Sequence, residues 1–175
     1  MARFTLHGVA PNRPGIVAAV TQSLAHVGCN LEDCRMSLLR GQFSIVLVLE
    51  APGVASGAAV EEALAPLLEE FALQLLVRPI QEDTDGPDLG HLVVISVHGA
   101  DHPGILARTA LAVAAAGGDV VDLVGHVVRQ GQETPSHIEI TASMTHEAVP
   151  ELRAALGALA AELGVRYDLS TADSP

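Results

Sequence analysis

The fold is decided by a short stretch that occurs twice, Asn12-Arg13-Pro14-Gly15-Ile16 and Asp101-His102-Pro103-Gly104-Ile105. Its glycines, Gly15 and Gly104, lie 89 residues apart. The same spacing relates Gly28 to Gly117, Asn30 to Asp119, Asp33 to Asp122 and Arg40 to Arg129. A spacing held over that many positions indicates an internal duplication, which has to be recognised before any element is assigned.

The match extends on both sides of this stretch. His7-Gly8 and His98-Gly99 precede the two turns, and we expect them to play the same part at a strand end. After Arg129 the second copy gains three residues, so that the spacing becomes 92. The 92-residue spacing carries Ser44, Val60, Leu64, Leu67 and Phe71 onto Ser136, Leu152, Leu156, Leu159 and Leu163.

Each copy has the pattern strand, helix, strand, strand, helix, strand. Apolar and β-branched runs predict strands at 4–6, 31–39, 43–50 and 73–79, and again at 92–97, 120–128, 136–143 and 165–169. Apolar residues at helical spacing follow both turns, where Asn12 and Asp101 are the predicted N-caps. Gly28 and Gly117 are predicted to end these helices with positive φ. Pro66 is expected to kink or shorten the second helix of the first copy.

The order βαββαβ in about 80 residues is typical of an α+β, ferredoxin-like module, with helices on one face of a four-stranded antiparallel sheet. We predict a first module at 1–80, a polar linker at 81–90, a second module at 91–170 and a frayed tail at 171–175.

Composition excludes several classes of protein. Nine basic residues against 21 acidic ones give a net charge of −12, which repels a phosphate backbone, so we expect no direct contact with nucleic acid. An aromatic content of 2% leaves little for base stacking. No stretch is apolar enough to cross a membrane, and the N-terminus has no signal-like apolar core, so we predict a cytoplasmic location. Cys29 and Cys34 are expected to be free thiols.

The repeated turn has the chemistry of an anion site. A helix N-terminus presents unpaired N–H groups, which suit a carboxylate, and a glycine lets a ligand approach the backbone. Asn12 and Asn30 in one copy, and Asp101 and Asp119 in the other, offer oxygens to an ammonium group. Helix capping and turn formation remain an alternative explanation for the same residues.

These residues resemble the ACT domain, a regulatory amino-acid-binding module. The likeness rests on Asn/Asp-x-Pro-Gly-Ile at the first turn and on Gly-x-Asn/Asp-Leu/Val after the helix. The segment from Gly28 to Met36, followed by Gln42-Phe43-Ser44, is similar to the glycine cleavage system transcriptional repressor family. Tandem ACT units also precede the catalytic domains of phosphoserine phosphatase and formyltetrahydrofolate deformylase.

The resemblance implies a ligand between paired modules, against the turn and the start of the second strand. The implied ligand-binding residues are Asn12, Arg13, Pro14, Gly15, Ile16, Asn30 and Leu31 in the first copy, and Asp101, His102, Gly104, Ile105, Asp119 and Val120 in the second. Glycine or serine is the implied ligand, and a regulator protein and a second copy of the chain are the implied partners. Because the first copy pairs neutral amides with an arginine, whereas the second pairs carboxylates with a histidine, we expect the first copy to hold the better site.

Other functions find less support. We predict no catalytic residue and no cofactor, because neither Gly-x-Ser-x-Gly nor Gly-x-x-x-x-Gly-Lys occurs. We predict no metal site either, since the histidines and aspartates of the second copy follow no known spacing and His98 is expected to lie away from His126. The hypothesis is a non-enzymatic amino-acid sensor that acts through a protein partner in transcriptional regulation. The alternatives are a ligand-free assembly module and the regulatory subunit of a separate enzyme of amino-acid metabolism.

Overall fold

The computed structural model describes residues 2–51, 57–80, 90–100, 103–127 and 135–171. The chain divides into two compact units, Met1–Asp85 and Gly86–Pro175. Most of the predicted linker and of the predicted tail lies outside the described residues.

Each unit contains one βαββαβ module. The first consists of β1 (Ala2–Pro11), α1 (Ile16–His26), β2 (Asn30–Leu39), β3 (Gln42–Ala51), α2 (Gly57–Glu70) and β4 (Gln74–Pro79). The second consists of β5 (His91–Ala100), α3 (Ile105–Ala115), β6 (Asp119–Val127), β7 (Pro135–Met144), a 3-10 turn (His146–Ala148), α4 (Val149–Leu163) and β8 (Arg166–Thr171). The sheet orders are β2-β3-β1-β4 and β6-β7-β5-β8, with antiparallel neighbours. The predicted fold class is therefore confirmed.

One face of each sheet carries the core. Along β1 and β3, buried residues such as Leu6 and Leu47 alternate with exposed or half-buried ones, as expected for a sheet covered on one side. Val20 of α1 and Leu64 of α2 are fully buried in the same cluster. The second module repeats this arrangement around Ile95, Ile140, Val113, Leu152 and Leu156.

The first helix of each module begins at a glycine rather than at a polar cap. Gly15 and Gly104 are the N-caps, with φ of 93° and 91°, and neither helix has a side-chain capping bond. The prediction that Asn12 caps α1 is wrong, because the chain makes a further turn through Pro14 before the helix starts. Asp101 lies outside the described residues. The prediction for the helix ends is confirmed, since φ is 79° at Gly28 and 72° at Gly117.

Pro66 does not end α2, which continues to Glu70. The proline is exposed, whereas Val60, Leu64 and Leu67 are buried. Packing of that apolar face keeps the segment helical despite the lost N–H donor. The expectation of a shortened helix is wrong.

Strand register corrects the match between the copies. Strands β1 and β5 begin and end 89 residues apart, so Val9, and not His7, occupies the place of His98. Strands β3 and β7 begin and end 93 residues apart, so His137 takes the place of Ser44. The pairings agree, since Val9 pairs with Ser44 and His98 with His137. The expected equivalences of His7 with His98 and of Ser44 with Ser136 are wrong, because alternation along a strand distinguishes positions that differ by one residue.

Candidate functional site

The turn before α1 leaves a helix N-terminus open. The Gly15 carbonyl accepts a hydrogen bond from the Ala19 N–H at 2.8 Å, and the Arg13 carbonyl accepts one from the Ile16 N–H at 3.3 Å. Among the described residues, the N–H groups of Val17 and Ala18 have no hydrogen-bond partner. A Cβ built on Gly15 would meet no atom within 4 Å beyond its chain neighbours. Two unpaired donors therefore lie beside open space, an arrangement that suits a small anion.

The polar residues of this turn have different parts. Asn12 is exposed, its N–H donates to the Gly41 carbonyl at 2.8 Å, and its side chain has no partner within the described part of the chain. Arg13 donates from Nη1 to the backbone carbonyl of Glu70 at 2.8 Å, at the end of α2. The guanidinium thus joins the turn to the last carbonyls of a neighbouring helix. Only its remaining N–H groups are available to a ligand.

The second module has a similar turn at Gly104. The Gly104 carbonyl accepts from the Arg108 N–H at 2.9 Å, and a Cβ on Gly104 would meet nothing within 4 Å. Pro103 is exposed. The predicted site residues Asp101 and His102 lie outside the described residues.

Two predicted contact residues belong to the cores. Ile16 and Ile105 are each 2% exposed and lie in the core clusters of their modules. They hold the start of each helix against the sheet, and the exposed atoms of the turn are those of the residues before them.

The structure does not bring the whole predicted set together within a module. Asn30 pairs with Glu50, which pairs with Arg3 near the start of β1, whereas Asn12 follows Pro11 at the end of β1. At about 3.3 Å per residue, these ends of the sheet are roughly 26 Å apart. Leu31, next to Asn30, also lies at the end of the sheet that is distant from Asn12.

The second module separates its residues in the same way. Asp119 pairs with Ser143, which pairs with Leu92 near the start of β5, whereas Gly104 follows the end of that strand. Val120 adjoins Asp119 and is half-buried against the core. Each module therefore has two groups of predicted site residues at opposite ends of its sheet. In the first module the turn group is Asn12 to Gly15 and the strand group is Asn30 and Leu31; in the second, Gly104 belongs to the turn group, and Asp119 and Val120 form the strand group. Sequence spacing alone gives no sign of the distance between them.

A pocket that the sequence analysis missed lies at the N-terminus of α4. It has a volume of about 540 Å³, and its lining includes His91, His146 and Arg153. The two imidazole rings are 5.3 Å apart, and the buried Nε2 of His91 has no partner among the described residues. The pocket lies at the opposite end of β5 from Gly104 and is separate from the turn group.

Three histidines of the second module lie on neighbouring strands. His98 and His126 were expected to lie apart, and both pair with His137, one from each side. Strand β7 lies between β5 and β6, so the two histidines stay one strand apart while sharing His137 as a neighbour. Within the described ranges, no group of three or more His, Cys, Asp or Glu side chains is already assembled around a metal position.

The cysteines are free, with Cys34 exposed and Cys29 half-buried. Burial raises the pKa of the Cys29 thiol. Among the described residues, no helix is both long and apolar enough to span a membrane.

Comparison with known proteins agrees with the fold. The ACT domain family matches residues 5–78. The glycine cleavage system transcriptional repressor of Escherichia coli K12 is 26% identical over 170 residues, covering 95% of this chain and 88% of the relative.

Two solved structures share the tandem arrangement. An unknown protein from Galdieria sulphuraria has a TM-score of 0.85 and 22% identity, and covers 98% of this chain and 99% of its own. A structure assigned as a glycine cleavage system transcriptional repressor has a TM-score of 0.69 and 20% identity, and covers 99% of this chain and 98% of its own. At such identities these two structures show the fold alone. The comparisons therefore show that residues 5–78 match the ACT domain family, and that the chain is similar over most of its length to a glycine cleavage system transcriptional repressor.

Proposed function

We propose that this chain is a non-enzymatic regulatory protein that binds a small amino acid at the turn group of its first module. The observation that carries the proposal is the open N-terminus of α1, with the unpaired N–H groups of Val17 and Ala18 beside the exposed Gly15. Those donors and the helix dipole match an α-carboxylate. Glycine and serine are the first ligands to test, because short side chains need little room beyond the backbone contacts.

The first module is the better site on electrostatic grounds. Its turn offers the neutral amide of Asn12 and the guanidinium of Arg13, whereas the turn of the second module has the sequence Asp101-His102. The carboxylate of a ligand is repelled by the like charge of an aspartate, whereas a neutral asparagine does not repel it. Net charge elsewhere does not alter this local difference.

In the proposed site, the strand residue Asn30 comes from a second copy of the chain. Because Asn30 lies about one strand length from Asn12 within the module, a second copy of the chain would have to supply it. Its amide oxygen would then accept from the ligand ammonium. This makes amino-acid binding and homodimer formation interdependent, which is how a ligand would shift assembly between two states.

Protein contacts are the proposed output. The relative's name is that of a transcriptional repressor, and the net charge of −12 disfavours direct DNA binding, so a regulator protein inside the cell is the proposed partner. Strand β2 is the candidate surface: it is an edge strand, all ten of its residues are exposed, and Met36, Leu38 and Leu39 are about half exposed or more. Unpaired strand edges with apolar side chains favour pairing with another chain.

The test of ligand binding uses the full chain and the twenty amino acids in a thermal-shift screen, followed by calorimetric titration. Glycine or serine at a hundred times its Kd is expected to stabilise the protein by about 2.7 kcal/mol. Val17→Pro removes one unpaired N–H at the second helical position, where α4 already has Pro150. We expect it to abolish the response, while the matched change in the second module, Leu106→Pro, preserves it.

Two further variants examine the strand group. Asn30→Ala is expected to lower affinity and Asp119→Ala to leave it nearly unchanged. Equal loss in both, or loss in the second alone, would contradict the assignment to the first module. A flat response to all twenty amino acids would overturn the sensor proposal.

The alternative is an assembly module without a ligand, favoured by the exposed apolar edge of β2. Sedimentation velocity of the wild type and of Leu38→Glu distinguishes it. Loss of self-association in the variant together with a flat amino-acid screen would support this alternative. A separate enzyme that co-purifies with the chain would instead identify it as a regulatory subunit.

A further inference from the structure

Three histidines form a row across the sheet of the second module. His137 on β7 pairs with His98 on β5 and with His126 on β6. Directly opposed residues on neighbouring strands project from the same face of a sheet, with Cβ atoms about 4.5–5.5 Å apart. Val97, next to His98, is 1% exposed and lies in the core, so the histidines project from the opposite face.

Two of the rings are already held together. Nδ1 of His98 and Nδ1 of His137 are 3.1 Å apart, and the ring centroids are 4.4 Å apart with an interplanar angle of 27°. At this distance one Nδ1–H donates to the lone pair of the other, so the two neutral rings adopt different tautomers. The two Nδ1 atoms therefore face each other across the strand pair.

The distance between the nitrogens is close to that of a metal-bound pair. Imidazole nitrogens at about 2.0–2.1 Å from a tetrahedral ion are about 3.3 Å apart. The pair of His98 and His137 needs to open by only a few tenths of an ångström to hold one. On binding, the proton shared at Nδ1 moves to Nε2 of its own ring, which leaves both rings neutral and both Nδ1 lone pairs available.

The third histidine completes the row after a side-chain rotation. His126 is exposed and pairs with His137 in the register. Among the described residues the three side chains are not assembled around one point, so His126 would have to rotate toward the pair to act as a third ligand.

Charges around the row favour a cation. Glu139 lies two residues along β7 on the same face and is exposed. Arg166 pairs with His98 in the register, but its Nε donates to Asp168 Oδ2 at 3.0 Å, so that this cation is already paired. The chain as a whole carries a charge of −12. A divalent ion therefore meets little net repulsion at this face.

The first module has no such row. Val9, Ser44 and Ser37 occupy the equivalent places, and the two serine hydroxyls are 2.7 Å apart. The duplicated fold thus offers the same positions without imidazoles. Any metal binding by the row belongs to the second module alone.

We propose that the sheet face of the second module binds one borderline transition-metal ion, such as Zn²⁺ or Ni²⁺, through Nδ1 of His98 and Nδ1 of His137, with His126 as the third ligand. Neutral imidazole suits these ions, and water fills the remaining position. The site is distinct from the amino-acid site proposed above, because it uses the sheet face and no residue of either turn group.

The test is calorimetric titration of the tag-free, chelator-treated full chain with Zn²⁺ and, separately, with Ni²⁺. We expect one ion per chain. His98→Gln and His137→Gln are each expected to weaken binding by roughly 100-fold or more, and His126→Gln by roughly 10-fold, because loss of even an outer-shell partner costs about 10–100-fold. His26→Gln, at the exposed end of α1, is the control and is expected to change nothing.

A second measurement needs no substitution. Imidazole ¹H–¹⁵N spectra of the wild type, with and without Zn²⁺, are expected to show the metal-induced shift at Nδ1 of His98 and His137. The proposal is overturned if no saturable binding occurs below roughly 100 μM ion. It is also overturned if the double variant with both His98→Gln and His137→Gln keeps the wild-type affinity, or if the spectra place the ion on other histidines.

Discussion

The contact between Gly118 and Met144 should make the two residues energetically dependent on each other. A Cβ on Gly118 would lie 2.7 Å from Met144 Cε, 3.0 Å from Val113 Cγ1 and 3.2 Å from the Val113 carbonyl oxygen. In the first module Cys29 takes the place of Gly118, and Ala51 takes the place of Met144. The larger residue at the first position therefore accompanies the smaller one at the second. Gly118→Ala therefore overpacks this corner.

The expected magnitudes follow from these distances. Gly118→Ala has to displace the methionine tip and a valine methyl by several tenths of an ångström, which costs about 1–3 kcal/mol. Met144→Ala, at a site that is 4% exposed, leaves a cavity and costs about 2–5 kcal/mol. In the double variant the added methyl occupies space that the methionine has vacated. We expect its cost to be smaller than the sum of the single costs by about 1–2 kcal/mol.

Thermal and urea unfolding of the wild type, both single variants and the double variant measure this coupling. For a module of this size, 1 kcal/mol corresponds to a Tm shift of about 4–8 °C. Gly125→Ala is the control, because its Cβ would meet only Ile138 Cγ1 at 3.9 Å. Additivity within about 0.5 kcal/mol, or a Gly118→Ala melt equal to that of the control, would refute the reasoning.

Two further outcomes are expected from the titratable groups. The hydrogen bond from Arg108 holds the pKa of Glu162 below its ordinary value. The pair therefore stabilises the fold above the unfolded-state pKa, and this stabilisation is lost as the pH falls through the lowered folded-state value. A ¹³C titration should place the Glu162 midpoint below that of an unpaired glutamate. A midpoint at or above the unpaired value, or an unchanged acid-unfolding curve in Glu162→Gln, would contradict this. With a thiol reagent near neutral pH, exposed Cys34 should react first and Cys29 slowly, since burial raises the pKa of Cys29. Cys34→Ser should leave only the slow phase, and two equal rates in the wild type would count against the prediction.

Local patterns in the sequence were sufficient for the fold class and for the element order. Alternation along β1 and β3, the helical spacing of Val60 and Leu64, and glycines at helix ends each depend on neighbours a few residues away. The turn before α1 could be predicted for the same reason, since Pro14 and Gly15 act within a short segment. The positive φ of Gly15 and its open surroundings are findings of the structure. The absence of a side-chain cap on α1 could not be predicted, because asparagine and glycine are both residue types found at the start of a helix.

Sequence alone therefore determined that this protein is a duplicated βαββαβ chain with a Pro-Gly-Ile turn before the first helix of each copy. Only the tertiary structure decided which residues meet across strands. It separated Asn30 from Asn12 by the length of a sheet and placed His98 and His126 on either side of His137. The physical reason is that hydrogen-bond register and strand order join residues far apart in the chain, and a shift of one residue moves a side chain to the other face.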